Sequence, residues 1–143
     1  MEILTERVLV TGGAGFIGSH TCLLLLEKGY EIIVIDSFVN SDKKSIERVI
    51  DLNKIKFKNT GCIQLISGDI RDEKVLDNIF LESQLSKPIK AVIHFAGLKS
   101  VKESVDKPLN YWDVNVNGTI KLLSIMDKYN CRTIVFSSSA TIY

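Results

Sequence analysis

Residues 7–18 read Arg7-Val8-Leu9-Val10-Thr11-Gly12-Gly13-Ala14-Gly15-Phe16-Ile17-Gly18, and this stretch decides the fold. An apolar run stops at a glycine cluster, and a helical pattern begins at once. Gly12 permits a sharp turn, Gly15 lets backbone approach an anion without a Cβ between them, and Gly18 lets helix and strand pack closely. The first N–H groups of the helix and its dipole favour an anion there. The stretch predicts a seat for a dinucleotide pyrophosphate, although a glycine turn in an unrelated α/β domain has the same spacing.

An acidic residue ends the next predicted strand. Asp36 lies 18 positions after Gly18, near the offset of about 20 residues at which a carboxylate accepts hydrogen bonds from the adenosine ribose. A carboxylate here would repel the 2′-phosphate of NADP, and the first lysine to follow is Lys43. The pattern favours NAD, with Lys43 and Lys44 as the cations that would have to swing back for NADP.

The composition is that of an ordinary globular domain. The chain has 143 residues, 45% of them hydrophobic, and a net charge of +1, which fits about one domain. Its longest apolar runs, at 22–26 and 32–35, are far shorter than the roughly 20 residues of a membrane span, and no signal peptide pattern is visible. The lysines at 54, 56 and 58 have one aromatic neighbour and predict a solvated connection. We expect a cytoplasmic protein with no nucleic-acid and no membrane partner.

Cysteines and histidines are few and scattered. Cys22, Cys62 and Cys131 form no Cys-x-x-Cys pair, so we expect small buried hydrophobes in a reducing compartment. Two histidines are too few for a metal site, and none is predicted. His94 lies in an apolar strand, where we expect a core histidine with satisfied hydrogen bonds, whereas His20 lies on the first helix.

Strand and helix patterns alternate along the whole chain. Strands are predicted over 7–11, 31–36, 62–67, 89–96 and 132–137, and helices over 15–28, 41–53 and 72–86, with a last one opening at 106–108. The last helix carries an apolar stripe that we expect in the core, namely Leu109, Trp112, Val116, Ile120, Leu123 and Met126. Right-handed crossovers between these strands predict an α/β fold with a doubly wound parallel (Rossmann) sheet of strand order 3-2-1-4-5.

Small and polar clusters fall where the predicted strands end. They occupy residues 12–18, 36–41, 68–70, 96–99 and 137–139. Ligands of doubly wound sheets bind at the carboxyl ends of the strands, where the order reverses between strands one and four. One ligand would therefore reach all five clusters.

Six segments carry a resemblance to a known family. Residues 11–21, 68–71, 94–99, 103–105, 115–119 and 136–141 closely resemble UDP-glucose 4-epimerases, which are extended short-chain dehydrogenase/reductases. The resemblance covers nearly the whole chain in order. The glycine motif indicates only the superfamily, whereas the segments ending at Lys99 and Thr141 are far more specific. Ser37, Lys102 and Val114 depart from the family pattern, and Val114 puts one polar contact near the cofactor in doubt.

The resemblance implies NAD as cofactor and roles for individual residues. Phe16 and Ile17 would contact the pyrophosphate, Asp69 and Ile70 would flank adenine, and the region around Asp36 would hold the adenosine ribose. The nicotinamide side would be lined by residues of the 95–99 segment, although Lys99 has a solvent-exposed loop lysine as its alternative. The complete candidate set is Gly12, Gly15, Phe16, Ile17, Gly18, Asp36, Ser37, Asn40, Ser41, Asp69, Ile70, Phe95, Ala96, Gly97 and Lys99.

The same resemblance implies the chemistry. A UDP-hexose would lose a hydride from C4 to the nicotinamide and regain it on the other face of the 4-keto sugar. Ser139 and Thr141 would hydrogen-bond the hydroxyl being oxidised; alternatively, the serine run only satisfies backbone at a strand end. The family base is the tyrosine of a Tyr-x-x-x-Lys pair, and no tyrosine of this sequence has a lysine four places on.

These observations predict an incomplete enzyme. We expect residues 1–143 to form the NAD-binding domain of a longer parent, without the last strands and the C-terminal sugar-nucleotide domain, and to be inactive alone. The parent is expected to be a homodimer that pairs through helices including residues 112–126, and the edge of strand five predicts self-association. The alternatives are a non-catalytic NAD-binding or redox-sensing module, or a sugar-nucleotide dehydratase or reductase. Dehydratases carry an Asp-Glu pair where this chain has Ala140-Thr141.

Overall fold

Five parallel strands form the sheet in the computed structural model, which describes residues 6–57 and 60–138. The strands are β1 (Arg7–Thr11), β2 (Glu31–Asp36), β3 (Cys62–Ser67), β4 (Ile89–His94) and β5 (Thr133–Phe136). Their order is β3-β2-β1-β4-β5, and every pair is parallel. The predicted fold and strand order are confirmed. The first three strands have the predicted bounds, whereas β4 and β5 are shorter than predicted.

Helices connect the strands as the alternating pattern predicts. They are α1 (Phe16–Glu27), α2 (Lys43–Phe57), α3 (Glu73–Ser86), α4 (Val101–Asp106), α5 (Pro108–Trp112) and α6 (Gly118–Lys128), with a π-helical turn at Asp113–Asn117 between the last two. Asp72 begins α3 because its side chain accepts hydrogen bonds from the amides of Lys74 and Val75. The sequence predicts one last helix that opens at 106–108. The structure instead divides this region into α5, the π-helical turn and α6, and a separate helix, α4, precedes them.

Each face of the sheet carries its own apolar cluster. Leu9, Ile33 and Ile35 point toward α3 and α6, where they pack with residues such as Phe80 and Leu122. The alternate strand residues point to the other face and pack against α1 and α2. Burial on both faces explains why β1 and β2 are apolar almost without interruption. The sheet therefore holds the carboxyl ends of β1, β2 and β4 rigidly side by side.

The apolar stripe predicted for the last helix does not face the core. Leu109 is 84% exposed, Trp112 68%, Ile120 58% and Leu123 44%, whereas Met126 is buried. The buried side of this helical region instead carries Tyr111, Gly118, Leu122 and Ile125. Helical periodicity finds two apolar sides here and cannot tell which one the sheet covers. The close approach is made at Gly118, where a Cβ would lie 2.8 Å from Ile70 Cδ1.

One cysteine prediction is wrong. Cys22 and Cys131 are buried as expected, but Cys62 is exposed because it begins β3, the edge strand of the sheet. Burial raises the pKa of the Cys22 thiol to about 12, so this thiol is protonated and unreactive. No helix within residues 6–57 and 60–138 is long and apolar enough to cross a membrane.

Candidate functional site

The glycine turn between β1 and α1 is built by close backbone contacts. Gly12 has a φ of +68°, and a Cβ there would lie 2.6 Å from the backbone nitrogen of Ala96. A Cβ on Gly18 would lie 2.5 Å from the carbonyl oxygen of Gly12. A Cβ on Gly15 would meet only that same oxygen, at 3.4 Å. Packing within the protein therefore requires glycine at 12 and 18, while at 15 the protein itself leaves room.

The first turn of α1 is open to an anion. Gly15 precedes the helix in extended conformation and supplies no side-chain cap, and the first turn contains no acidic residue. Phe16 and Ile17 are exposed at this end of the helix. Unbonded N–H groups and a positive dipole end without a neighbouring carboxylate are what a phosphate group requires.

Asp36 is buried at the end of β2 and connects three segments. Its Oδ2 accepts a 2.9 Å hydrogen bond from the amide of Ala14, and its Oδ1 accepts from the amide of Phe38 at 2.9 Å and from the Ser41 hydroxyl at 2.8 Å. Phe38 has a φ of +56°, which bends the chain back toward the carboxylate. Oδ2 keeps a second lone pair, so the carboxylate has room for a hydroxyl donor.

The remaining residues of this corner lie around Asp36. Ser37 and Asn40 are exposed, and Ser45 of α2 donates from its hydroxyl to the carbonyl of Ala14 at 2.7 Å. The ammonium group of Lys43 lies 5.3 Å from the centre of the Phe38 ring. The structure thus brings the predicted pyrophosphate and ribose residues together at one corner of the sheet.

Asp69 lies in an ion-pair network at the end of β3. Both of its carboxylate oxygens accept from the Arg71 side chain, at 2.7 and 3.0 Å, and Arg71 also pairs with Asp113 at 2.7 Å. The Arg71 hydrogen bonds hold the pKa of Asp69 below its usual range. Asn117 donates to Asp113 and, with Arg71, lowers the pKa of that carboxyl as well. Both carboxylates are therefore ionised near neutral pH.

Ile70 is the second residue that the resemblance predicts beside adenine. Its side chain is buried in the core against Gly118. The predicted contact of Asp69 and Ile70 with adenine stays a prediction.

The loop after β4 closes the other side of the glycine turn. The amide of Phe95 donates to the carbonyl of Thr11 at 3.0 Å, and the amide of Ala96 donates to the Thr11 hydroxyl at 3.2 Å. Lys99 is exposed and has no partner among the residues that the structure describes. Its charge is therefore available to a ligand, as its predicted role requires.

Asn115 holds this loop from the π-helical turn. Its Oδ1 accepts from the amide of Leu98 at 2.7 Å, and its Nδ2 donates to the carbonyl of Leu98 at 2.8 Å. A Cβ on Gly97 would lie 3.1 Å from Asn115 Oδ1, so the glycine gives this amide its space. Turns of π-helix often occur at functional positions.

His94 is the buried, satisfied histidine that its strand predicts. Its Nδ1 lies 2.6 Å from the Thr11 hydroxyl oxygen, and its Nε2 lies 3.0 Å from that of Thr119. Burial lowers its pKa from 6.5 to about 4, so the ring is neutral at physiological pH.

Several residues that shape the candidate site were not identified from the sequence. Gly13 packs so closely that a Cβ would lie 2.7 Å from Val34 Cγ1, and Arg71, Asn115 and Thr119 make contacts that no motif spacing reveals. Arg71, Asn115 and Thr119 lay within segments of family resemblance, which were their only signal. Ser139 and Thr141, the predicted substrate-positioning residues, lie outside the described residues. Within residues 6–57 and 60–138 no three potential ligands cluster as a metal site would need.

The fold and its glycine turn define an α/β domain of the Rossmann type. A family model described as GDP-mannose 4,6 dehydratase matches residues 9–143, and the chain belongs to this family.

Relatives and solved structures agree with the resemblance found in the sequence. The chain is 49% identical over 140 residues to UDP-glucose 4-epimerase 2 of Arabidopsis thaliana, covering 98% of this chain and 38% of the relative. It is 48% identical over 138 residues to UDP-glucose 4-epimerase of Mus musculus, covering 96% and 39%. The structure of UDP-glucose 4-epimerase from Bifidobacterium longum in complex with NAD+ and UDP matches with a TM-score of 0.84 and 47% identity, covering 96% and 38%. The chain thus spans about two fifths of the length of these relatives.

Proposed function

We propose that this chain is the NAD-binding part of a UDP-glucose 4-epimerase. The observation that carries the proposal is the joint placement of an uncapped helix end and the Asp36 carboxylate on either side of Ala14. A pyrophosphate at the first and an adenosine ribose at the second are separated as one dinucleotide requires. The B. longum epimerase, which is similar over 96% of this chain, was solved with NAD+ and UDP.

We propose different residues for the two halves of the dinucleotide. On the adenosine side we propose Gly12, Gly15, Phe16, Ile17, Gly18, Asp36, Ser37, Asn40, Ser41, Asp69 and Ile70. On the nicotinamide side we propose Phe95, Ala96, Gly97 and Lys99, because the loop after β4 adjoins Gly12 across the point where the strand order reverses.

NAD is proposed over NADP for an electrostatic reason. Asp36 is buried and already accepts three hydrogen bonds, so its negative charge is fixed in place. A 2′-phosphate beside it would meet a like charge. Lys43, the nearest following cation, lies against the Phe38 ring.

The reaction is proposed for the parent protein. NAD, when bound, supplies a hydride acceptor and donor at its nicotinamide. Lys99 would place positive charge near that ring, and Ser139 with Thr141 would hold the hydroxyl at C4 of a UDP-hexose. Proton removal needs a base, and the tyrosine that serves the family has no counterpart in a Tyr-x-x-x-Lys pair of these 143 residues. We therefore propose that residues 1–143 act as one NAD-binding domain and that the chain alone does not turn over sugar nucleotides.

An epimerase is favoured over a dehydratase by two observations. The family model carries a dehydratase description, but the curated relatives quoted above are epimerases. Ala140 and Thr141 also stand where the resemblance gives dehydratases their acidic pair. We further propose a cytoplasmic enzyme that pairs as a homodimer through the exposed helix face, defined as Leu109, Trp112, Ile120 and Leu123.

Calorimetric titration of the 143-residue protein with NAD and with NADP tests the proposal. We expect NAD to bind and NADP to bind at least tenfold more weakly. Equal affinities, or no NAD binding, would contradict it. UDP-galactose added to the NAD-loaded sample should give no UDP-glucose, and measurable turnover would refute the proposed inactivity.

A further inference from the structure

His94 links β1 to α6 through its two ring nitrogens. Nδ1 contacts the Thr11 hydroxyl of β1 at 2.6 Å, and Nε2 contacts the Thr119 hydroxyl of α6 at 3.0 Å. The side chain is 2% exposed, so water does not compete for these bonds. A buried polar network with every member satisfied holds its neighbours in one arrangement.

The hydrogen positions in this network follow from its ends. The Thr119 hydroxyl donates to the carbonyl of Asn115 at 2.6 Å, so its oxygen must accept from His94 Nε2–H. Nδ1 then carries no hydrogen and accepts a hydrogen bond from the Thr11 hydroxyl. The oxygen of that hydroxyl accepts a hydrogen bond from the amide of Ala96. All donors point one way, and only the neutral Nε2–H form of His94 fits.

The network ends on the loop after β4. The backbone carbonyl of Asn115 accepts the hydrogen bond from Thr119. The side chain of Asn115 accepts from the Leu98 amide and donates to the Leu98 carbonyl. The other end, Ala96, belongs to the same loop. The loop is therefore anchored at two points by one connected set of side chains, and its middle residue, Gly97, is exposed between them.

This loop borders the proposed site for the nicotinamide half of the dinucleotide, whereas Asp36 lies at the proposed site for the adenosine half. It adjoins Gly12 where the strand order reverses, and the second nucleotide of a dinucleotide lies on the β4 side of that point. We propose that His94 and Thr119 are positioning residues that act through Thr11 and Asn115 to fix the backbone of residues 96–98 for the nicotinamide half of the cofactor. The inference rests on the proposed function.

Titrations with NAD and ADP separate this role from general stability. ADP carries the adenosine half and the diphosphate but lacks the second nucleoside. Thr119→Val keeps the shape of the side chain and removes the hydroxyl, which breaks the hydrogen bonds to both His94 and the Asn115 carbonyl. We expect NAD to bind about five- to tenfold more weakly, the factor that loss of the one bond leading to the loop gives. ADP affinity should change less than twofold. Thr119→Ser restores the hydroxyl and should restore NAD affinity.

Ser83→Ala is the matched control. Ser83 is buried on α3, and its hydroxyl donates to the carbonyl four residues earlier at 2.7 Å, as that of Thr119 does, but it does not touch the loop. It should change neither affinity. Equal weakening of NAD and ADP by Thr119→Val, or no weakening of NAD, would overturn the positioning role.

Two measurements without ligand decide the geometry independently. Nitrogen-15 spectra of the wild-type protein at neutral pH should show His94 as the Nε2–H form, and any other form overturns the network. Hydrogen exchange at the Leu98 amide should be at least tenfold faster in Thr119→Val and unchanged in Ser83→Ala. Unchanged Leu98 exchange in Thr119→Val overturns the anchoring. Failure of the wild-type protein to bind NAD would instead refute the proposed function, with the exchange result standing by itself.

Discussion

The amide of Ala14 donates a 2.9 Å hydrogen bond to Asp36 Oδ2 across 22 positions of sequence. This bond joins the glycine turn that follows β1 to the acidic residue that ends β2. The same carboxylate accepts from the amide of Phe38 and the hydroxyl of Ser41, so one buried side chain connects the glycine turn to the segment that follows β2.

Asp36→Asn should destabilise the fold although the side chain keeps its shape. Each oxygen of Asp36 accepts from a backbone amide, so an amide nitrogen in either place would face an N–H group. We expect a loss of about 1–3 kcal/mol in the free energy of unfolding, measured with urea. Asp42→Asn is the control, since Asp42 accepts from one exposed amide and asparagine can still accept there. Equal stability of the two variants would contradict the role assigned to Asp36.

Gly12→Ala and Gly15→Ala should separate folding from binding. Alanine at 12 combines a φ of +68° with a backbone clash, so we expect more than about 2 kcal/mol of destabilisation. Alanine at 15 should change stability by less than about 0.5 kcal/mol, while its methyl group obstructs the approach of a phosphate. NAD titration and urea unfolding of both variants check this. Unaltered NAD affinity in Gly15→Ala would argue against a pyrophosphate at this helix end.

Stability should fall as pH drops from 6.5 toward 4. The folded state keeps His94 neutral with a pKa of about 4, whereas the unfolded chain takes up that proton near pH 6.5. Since the unfolded state binds more protons across this window, unfolding becomes easier at lower pH, by up to about 3 kcal/mol. Urea unfolding at several pH values measures the slope. His94→Gln should flatten it, and His20→Gln, on an exposed position of α1, should keep it.

Leu123→Glu should weaken self-association through the exposed helix face. A charge placed on this face would have to be desolvated in a dimer, whereas the monomer leaves it in water. Sedimentation analysis should show a lower associated fraction than in wild type. Leu85→Glu is the control, because Leu85 is 85% exposed on α3 and is not one of the residues that define this face.

The exposed edge of β5 gives a competing route to association. Val135 is more than half exposed on this strand, which among the described residues pairs with β4 alone. If Val135→Lys abolishes association and Leu123→Glu does not, the edge and not the helix face is the contact.

Most of the fold could be predicted because its signals are local. The valine-rich and isoleucine-rich strands, the capping Asp72 and the glycine turn each act within a few residues. The orientation of the last helix could not be predicted from such local signals. One apolar series runs from Leu109 to Leu123 and another from Tyr111 to Ile125, and both have helical spacing. Nothing within the helix says which side meets Ile70. The predicted burial of Cys62 was wrong for a related reason, since burial at the start of a strand depends on whether that strand lies at the edge of the sheet.

The sequence by itself determined the α/β alternation, the strand order, the glycine turn and the acid that ends β2, because strand and helix periods, backbone freedom at Gly12 and chain connectivity are properties of short segments. Tertiary structure alone decided that Ala14 meets Asp36, that Arg71 joins Asp69 to Asp113, and that His94 reaches Thr119. These partners come from separate elements, except for Asp69 and Arg71. Their hydrogen bonds form only when packing of the two apolar clusters has fixed the helices against the sheet.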